Sequence, residues 1–201
     1  PQVRLTPEKV ETQMGGTFNL NVQVENVNDL FSAPLRLKFD YFTDAKGAPR
    51  GVARMPGSGP TWVSGYTSLP DKTGTPRLVG TYVKIKPPLE GYEWGLCVWD
   101  EAKQEFLRHK VIWTKSESGS ERPPIPDGHP VFWKDAAGKE WVLFGNPLPF
   151  LRCPATFEAW EDPAAWEPLT PQATLVSAAD RKPVKPHSGS VAWNAWRKRW
   201  V

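Results

Sequence analysis

An all-β fold is expected of this chain on three grounds. Its 201 residues include 22 Pro and 16 Gly. Proline removes a backbone donor and glycine raises the entropy cost of ordering, so regular elements should be short and long helices are disfavoured. Several stretches alternate apolar and polar residues, the period-2 mark of a half-buried strand. These stretches also recur as pairs around short polar turns, and aromatic residues stand at matching places in successive pairs.

The first alternating stretch is "TFNLNVQV" (17–24), with Phe18, Leu20, Val22 and Val24 on one face. Gly15-Gly16 precedes it as a turn and "NVND" (26–29) follows it. "APLRLKFD" then alternates through Leu35, Leu37 and Phe39 to Asp40. These read as two antiparallel strands, with a further strand around Val3–Leu5. Residues 41–60 lose the periodicity and read as a Gly/Pro-rich linker. Protease is expected to cut first between Ala45 and Gly59.

From Trp62 onward the chain reads as four hairpins. Strands near 62–69 and 77–86 flank "PDKTGTP", and strands near 94–99 and 105–113 flank "DEAKQ". Strands near 130–134 and 140–145 flank "DAAGK", and the last pair is 190–193 and 198–201. One short helix is expected where Asp162 supplies an N-cap carboxylate and Pro163 the first helical position, ahead of "AAWE".

The hairpins repeat one another. "GHPVFWKDAAGKEWV" (128–142) aligns with "SGSVAWNAWRKRWV" (188–201), matching Val131 with Val191, Trp133 with Trp193, and Trp141-Val142 with Trp200-Val201. "GLCVWDEAKQEFL" (95–107) follows the same plan through Trp99 and Phe106. Repeated aromatic-marked hairpins point to the blades of a β-propeller, each burying its faces on its neighbours. An ordinary β-sandwich, whose hairpins also carry aromatics, is the alternative. The architecture expected is therefore an incomplete propeller of about three blades, with the opening strands a separate β fragment: 1–40, the 41–60 linker, and 61–201.

Composition excludes several classes of function. No apolar run approaches the roughly 20 residues of a membrane helix, so no membrane span is expected. The net charge of +3 is spread along the chain, and Arg197-Lys198-Arg199 alone resembles a basic stripe. Three charges in a hairpin turn read as solvated, so nucleic acid is not an expected partner. Three scattered histidines and no Cys-x-x-Cys leave no zinc spacing. No cofactor or metal is implied. Cys97 and Cys153 are compatible with one disulfide or with two buried thiols. The chain opens on Pro1 without a charged-then-apolar leader, which leaves open a removed signal peptide or an excerpt.

Two resemblances cover different parts of the chain. "VETQMGGTFNLNVQVENVNDLFSAPLRLKFD" (10–40) resembles the opening strands of a cohesin-type β-sandwich. That resemblance implies a surface module which recruits a protein partner through these strands. After Asp40 the sequence departs from the family into "YFTDAKGAPRG", so the sandwich is partial. Residues 41–201 resemble secreted bacterial five-bladed β-propellers of the glycoside-hydrolase-like type. The resemblance runs through "ARMPGSGPTWVSGYTSL", "RLVGTYVKIK", "EWGLCVWDEAKQEFL", "DGHPVFW", "EWVLFGNPLPFLRCPATFEAWEDPAAWEPLT" and "GSVAWNAWRKRWV". It implies an extracellular or periplasmic protein with a carbohydrate partner. Roughly 160 residues fall short of five blades at about 40–50 residues each. The chain is thus expected to be an excerpt ending inside a hairpin, with an exposed edge strand prone to aggregation.

Sugar hydrolysis needs two carboxyl groups facing across the bond, one protonated and one ionised. Asp44, Asp127 and Glu158 are candidates by setting, and Asp127 with Glu158 is the catalytic pair expected. Asp127 lies in the turn "PDGHP" before a strand; Glu158 stands between Phe157 and Trp160, apolar neighbours that raise a carboxyl pKa. An Asp before Gly is also an ordinary turn former, and a Glu between aromatics an ordinary rim residue. Arg152, His129 and His187 are expected ligand contacts, since a guanidinium or imidazole beside a strand end holds a carboxylate or sugar hydroxyl. His129 and His187 stand at equivalent points of the repeat, which equally fits bonding to the next blade. Among 11 tryptophans, Trp99, Trp133, Trp193 and Trp200 hold repeat-equivalent packing positions. Trp62, Trp94, Trp160, Trp166 and Trp196 are placed in turns or loops, where Trp62, Trp160 and Trp166 would stack on sugar rings.

Overall fold

The computed structural model of the chain describes residues 2–6, 21–25, 41–115, 119, 121–169, 175–184 and 188–201. Among these, 47% lie in strands and 5% in helix, so the all-β expectation holds at the level of class. The chain divides into two compact units, Pro1–Arg50 and Gly51–Val201.

In the first unit, strand β1 (Gln2–Thr6) pairs antiparallel with β2 (Asn21–Glu25), Val3 opposite Val24 and Leu5 opposite Val22. The expected strand at 17–24 is described only from Asn21, and the one at 34–40 lies outside the described residues. A tight turn follows at 43–49. Asp44 accepts the backbone N–H groups of Lys46 and Ala48 through one carboxylate oxygen, at 2.8 and 3.0 Å. Asp44 is thus a turn former in the ordinary sense.

The second unit contains two four-stranded antiparallel meanders. The first runs β3 (Thr61–Pro70), β4 (Pro76–Lys86), β5 (Glu90–Asp100) and β6 (Glu105–Thr114). The second runs β7 (His129–Lys134), β8 (Glu140–Gly145), β9 (Pro149–Pro154) and β10 (Glu167–Pro168). A two-stranded hairpin closes the chain, β11 (Trp193–Asn194) with β12 (Arg199–Trp200). Each expected hairpin is present, and the pairings β4–β5 and β8–β9 gather them into sheets.

The repeat has a geometric basis. Trp99 stands directly opposite Phe106, Trp133 opposite Trp141, and Trp193 opposite Trp200. The first of these pairs, however, joins the third and fourth strands of its sheet, and the second joins the first and second strands of its own. The repeat is one of hairpins, placed differently in each sheet.

Side chains on β4 and β5 alternate between two faces. Val79, Leu96 and Val98 point into a core shared with Val142, Phe144, Cys153 and Trp160 of the second sheet and its helix. Leu78, Tyr82, Cys97 and Trp99 lie on the other face, together with Met55 and Phe106. The two sheets are stitched at their first strands. A bulge between Ser64 and Thr67 turns Gly65 to φ +63°, and its N–H reaches the Gly128 carbonyl at 2.9 Å. A Cβ there would lie 2.7 Å from the Pro126 carbonyl oxygen, so only glycine permits the approach.

Residues 51–60 form a strap across the second face of the first sheet. Met55 is buried beneath it. Its carbonyls are taken by the sheet: Val52 accepts from the Phe106 N–H at 2.6 Å, Pro56 from Arg108 at 2.8 Å, and Ser58 from the Tyr92 hydroxyl at 2.8 Å. Buried Lys84 completes the set. Its Nζ donates to Met55 O (3.2 Å), Gly59 O (2.7 Å) and Thr61 Oγ1 (3.3 Å), satisfying all three ammonium protons. Desolvation holds its pKa below the usual lysine value, with Arg108 acting in the same direction and Glu93 opposing.

The helix differs from expectation. Helix α1 is Phe157–Glu161, capped by Thr156, whose hydroxyl accepts the Ala159 N–H at 3.3 Å. Asp162 and Pro163 instead open a single 3₁₀ turn, Pro163–Ala165, with the Asp162 carboxylate accepting from Ala164 N–H at 3.0 Å. Cys97 and Cys153 are free, buried thiols on different sheets. Among the described residues no helix is long and apolar enough to cross a membrane.

Candidate ligand groove on the second sheet

The second sheet buries one face and leaves the other open. Val142, Phe144 and Cys153 point into the core. The alternate positions, Val131, Trp133, Leu143 and Arg152, line a groove of about 330 Å³ on the opposite face, with Leu169 and Trp200 closing it. The groove wall is therefore apolar and aromatic, as period-2 alternation on these strands dictates.

Arg152 supplies its polar edge. The strand pairing sets Glu167 directly opposite Arg152. Nε and one terminal nitrogen of the guanidinium reach the same Glu167 oxygen at 2.8 and 2.7 Å. The guanidinium also lies 4.1 Å from the Trp141 ring centroid, and the Lys139 ammonium 3.9 Å from it. Two cations on one indole fix both the ring and the cations, each contact being worth about 0.5–2 kcal/mol. The Trp141 N–H donates to Asp135 at 2.9 Å. That bond, together with the Lys139 and Ala137 N–H groups and the Lys139 charge, holds the Asp135 carboxyl below its ordinary value of 3.8 against opposing desolvation.

The groove can thus take a ring with one apolar side and hydroxyls on its edge. Apolar carbons would meet indole, and hydroxyls the exposed parts of the Arg152–Glu167 pair. The carboxylate at this edge, Glu167, is engaged by Arg152. Among the described residues no cluster of three His, Cys, Asp or Glu side chains could hold a metal.

Asp127 and Glu158 are not brought together. Asp127 accepts from the Ser64 hydroxyl and from the Gly128 N–H at 2.7 Å, tying the start of β7 to β3. Glu158 accepts from the Lys72 N–H at 2.8 Å, in the turn beyond the far end of β3. The two anchorages lie at opposite ends of the β3 segment Ser64–Pro70, which spans roughly 20 Å at about 3.3 Å per residue before the bulge shortens it. Paired glycosidase carboxylates stand about 5–9.5 Å apart. The observed engagements of both groups are structural.

The ligand contacts expected from sequence fare unevenly. Arg152 lies at the groove. His129 opens β7 opposite Gly145 and is exposed, and Trp62 sits in β3 with half its surface exposed. His187 lies outside the described residues. Trp160 is corrected: it belongs to helix α1 and is fully buried in the core. Trp166 lies in a loop as expected, partly buried against that core with its N–H on the Trp160 carbonyl at 3.0 Å. Trp94 stands within β5, edge-on to Trp113 at 5.3 Å. Of the five tryptophans assigned to turns or loops, Trp196 is the one exposed in a turn. Sequence reasoning missed Trp141, Lys139 and Glu167 as companions of Arg152; the Trp133/Trp141 repeat match was the available signal.

Comparison of the chain with protein-family models, with curated proteins and with solved structures returned no match.

Proposed function

We propose that residues 51–201 belong to a secreted, carbohydrate-binding β-propeller, with the groove at Trp133 and Arg152 as the sugar site. Two four-stranded meanders that share a core and are stitched at their first strands support the propeller reading. In this reading they are neighbouring blades, and β11–β12 begins a third. The observation that carries the binding function is the groove itself: indole walls and a guanidinium–carboxylate edge suit the apolar face and hydroxyl rim of a sugar. Catalysis is not part of the proposal, because Asp127 and Glu158 are anchored far apart.

The test is a glycan array probed with the full chain and with the Trp133→Ala and Arg152→Gln variants. Neutral or acidic glycans bound by the wild type and released by Trp133→Ala support the groove. An array on which nothing binds, alongside capture of a protein partner by residues 1–50, would instead favour a surface interaction module.

A further inference from the structure

The tip of the β11–β12 hairpin concentrates charge that the hairpin does not balance. Residues 188–201 contain Arg197, Lys198 and Arg199 and no Asp or Glu. Elsewhere in residues 51–201 many cations are matched. Arg77 meets Asp71, Lys86 and Lys115 meet Glu90, Arg108 meets Glu93, and Arg152 meets Glu167. Arg197, Lys198 and Arg199 have no carboxylate partner among the described residues.

The turn carrying these cations is well defined. The Asn194 side-chain oxygen accepts the Arg197 N–H at 2.8 Å, and Lys198 adopts a left-handed φ of +49°. Trp193 and Trp200 meet edge to face at 5.6 Å across the strands, a cross-strand contact that clamps the hairpin. The result is a Trp196 ring that is 85% exposed. The Arg197 guanidinium lies 5.7 Å from its centroid. Trp196, Arg197 and Arg199 line an open depression of about 420 Å³. Both faces of the indole are therefore largely open to solvent, and it stands among cations that no carboxylate of the described residues pairs.

We infer that this tip binds an acidic polysaccharide: the Trp196 ring stacks on a sugar, and the neighbouring guanidiniums hold its carboxylate or sulfate groups. The inference rests on the carbohydrate reading above and names its class. Guanidinium suits planar and tetrahedral oxyanions through paired N–H donors, while stacking on an indole selects a ring rather than a bare anion. An anionic membrane fits less well, because Trp196 is the one large apolar side chain in the turn 195–199, and Trp193 and Trp200 further down the strands are engaged with each other. Duplex nucleic acid is commonly held through about six to ten phosphate contacts, and this tip offers three cations.

The experiment is affinity electrophoresis of the full chain through gels containing polygalacturonate, its fully methyl-esterified neutral form, or DNA. Retardation by polygalacturonate is expected, and it should weaken as salt rises. Apparent affinity should fall about tenfold or more in Arg197→Gln/Lys198→Gln/Arg199→Gln and in Trp196→Ala, the order expected for losing a charge-assisted or stacking contact. Trp196→Tyr, which keeps an aromatic face, should retain most of the binding and so separates stacking from misfolding. Unchanged retardation in both tip variants overturns the inference. Equal retardation by the esterified polymer overturns the acidic class while leaving the groove reading intact, and equal retardation by DNA reduces the tip to a general polyanion contact. Loss of all glycan binding in Trp133→Ala, with the tip variants unaffected, supports the groove and overturns the tip.

Discussion

The two meanders of the second unit share a core but treat their remaining faces differently. The first has strands of 10 and 11 residues, and its far face is roofed by residues 51–60. The second has strands of six residues in its first three positions, and its far face is an open groove. Each sheet places a cation on that far face, and the settings explain the contrast. Lys84 is desolvated and uses every proton on strap and strand oxygens. Arg152 keeps about a quarter of its side-chain surface and rests on an indole beside a carboxylate. A buried ammonium works as a structural tie; the Arg152 guanidinium, part-exposed on an aromatic ring, holds a cross-strand carboxylate at the edge of an open groove.

If the shared core is what makes the sheets one unit, Trp160→Ala should have the largest effect on stability. The side chain is fully buried among residues of both sheets, and such truncations cost about 3–5 kcal/mol. Urea denaturation followed by circular dichroism measures it; a loss below about 1 kcal/mol would mean that the sheets hold together without this contact.

The roof should be the next most sensitive feature. Lys84→Ala leaves the Met55 and Gly59 carbonyls without their donor, at a cost of about 2–3 kcal/mol. In the wild type, trypsin should cut first in the exposed turn at Lys46, not at Arg54 in the strap. In the variant, Arg54 should become a competing site, and mass spectrometry of the first fragments distinguishes the two outcomes.

The thiols bear on the shared core and the roofed face together. Burial pushes Cys97 and Cys153 from an ordinary 9.0 up to about 12. Their folded values are raised, so their contribution is present below pH 9 and is lost as pH climbs towards 12. Each should remove about 1.4 kcal/mol of stability per pH unit within that window. Lys84 acts in the opposite sense, since its lowered value makes stability rise with pH on the way to 10.5. Denaturation midpoints of Cys153→Ala measured across this range should decline less steeply than those of the wild type. An unchanged slope would show that the thiol is solvated.

Smaller effects belong to the helix that the second sheet lends to the core. Thr156→Ala removes the cap of α1 and should cost about 1 kcal/mol. Glu161→Gln weakens the 2.6 Å contact with His109 that joins α1 to β6. Both side chains are a third exposed, so solvent screening limits the loss to about 0.2–1 kcal/mol. Thermal midpoints of the two variants should rank in that order.

The hairpins were legible because alternation and turn chemistry are local. "PDKTGTP" contains Asp71, which accepts the Thr73 and Thr75 N–H groups and shapes the turn that the composition predicts. The gathering of hairpins into sheets was less legible, because β4–β5 and β8–β9 meet through proline-containing turns that resemble loop. Residues 51–60 lack any period, and their docking depends on Lys84, whose only sequence mark is a polar residue in register with Leu78 and Tyr82. Helix α1 spans five residues, too few to show a 3.6-residue period, which is why Trp160 passed for a loop aromatic. At the groove, Arg152 was readable as a cation beside a strand end. Its partners were not, because Glu167 and Trp141 reach it through cross-strand register, a property of the assembled sheet.

The sharing of one core by two sheets also carries a consequence for the order of synthesis. Residues 51–60 leave the ribosome before the first sheet, and their docking partners Lys84, Tyr92 and Arg108 all arrive by the end of β6 at Thr114. The roofed face can therefore close early. Leu69, Val79, Leu96 and Val98 must wait for Val142, Phe144 and Trp160, a delay of 44 residues from Val98 to Val142 and of 91 from Leu69 to Trp160. At about 5–20 residues per second, that apolar row stays uncovered for several seconds of translation. During that interval the nascent chain presents a half-finished sheet, and a chaperone that grips apolar strands would find its target there.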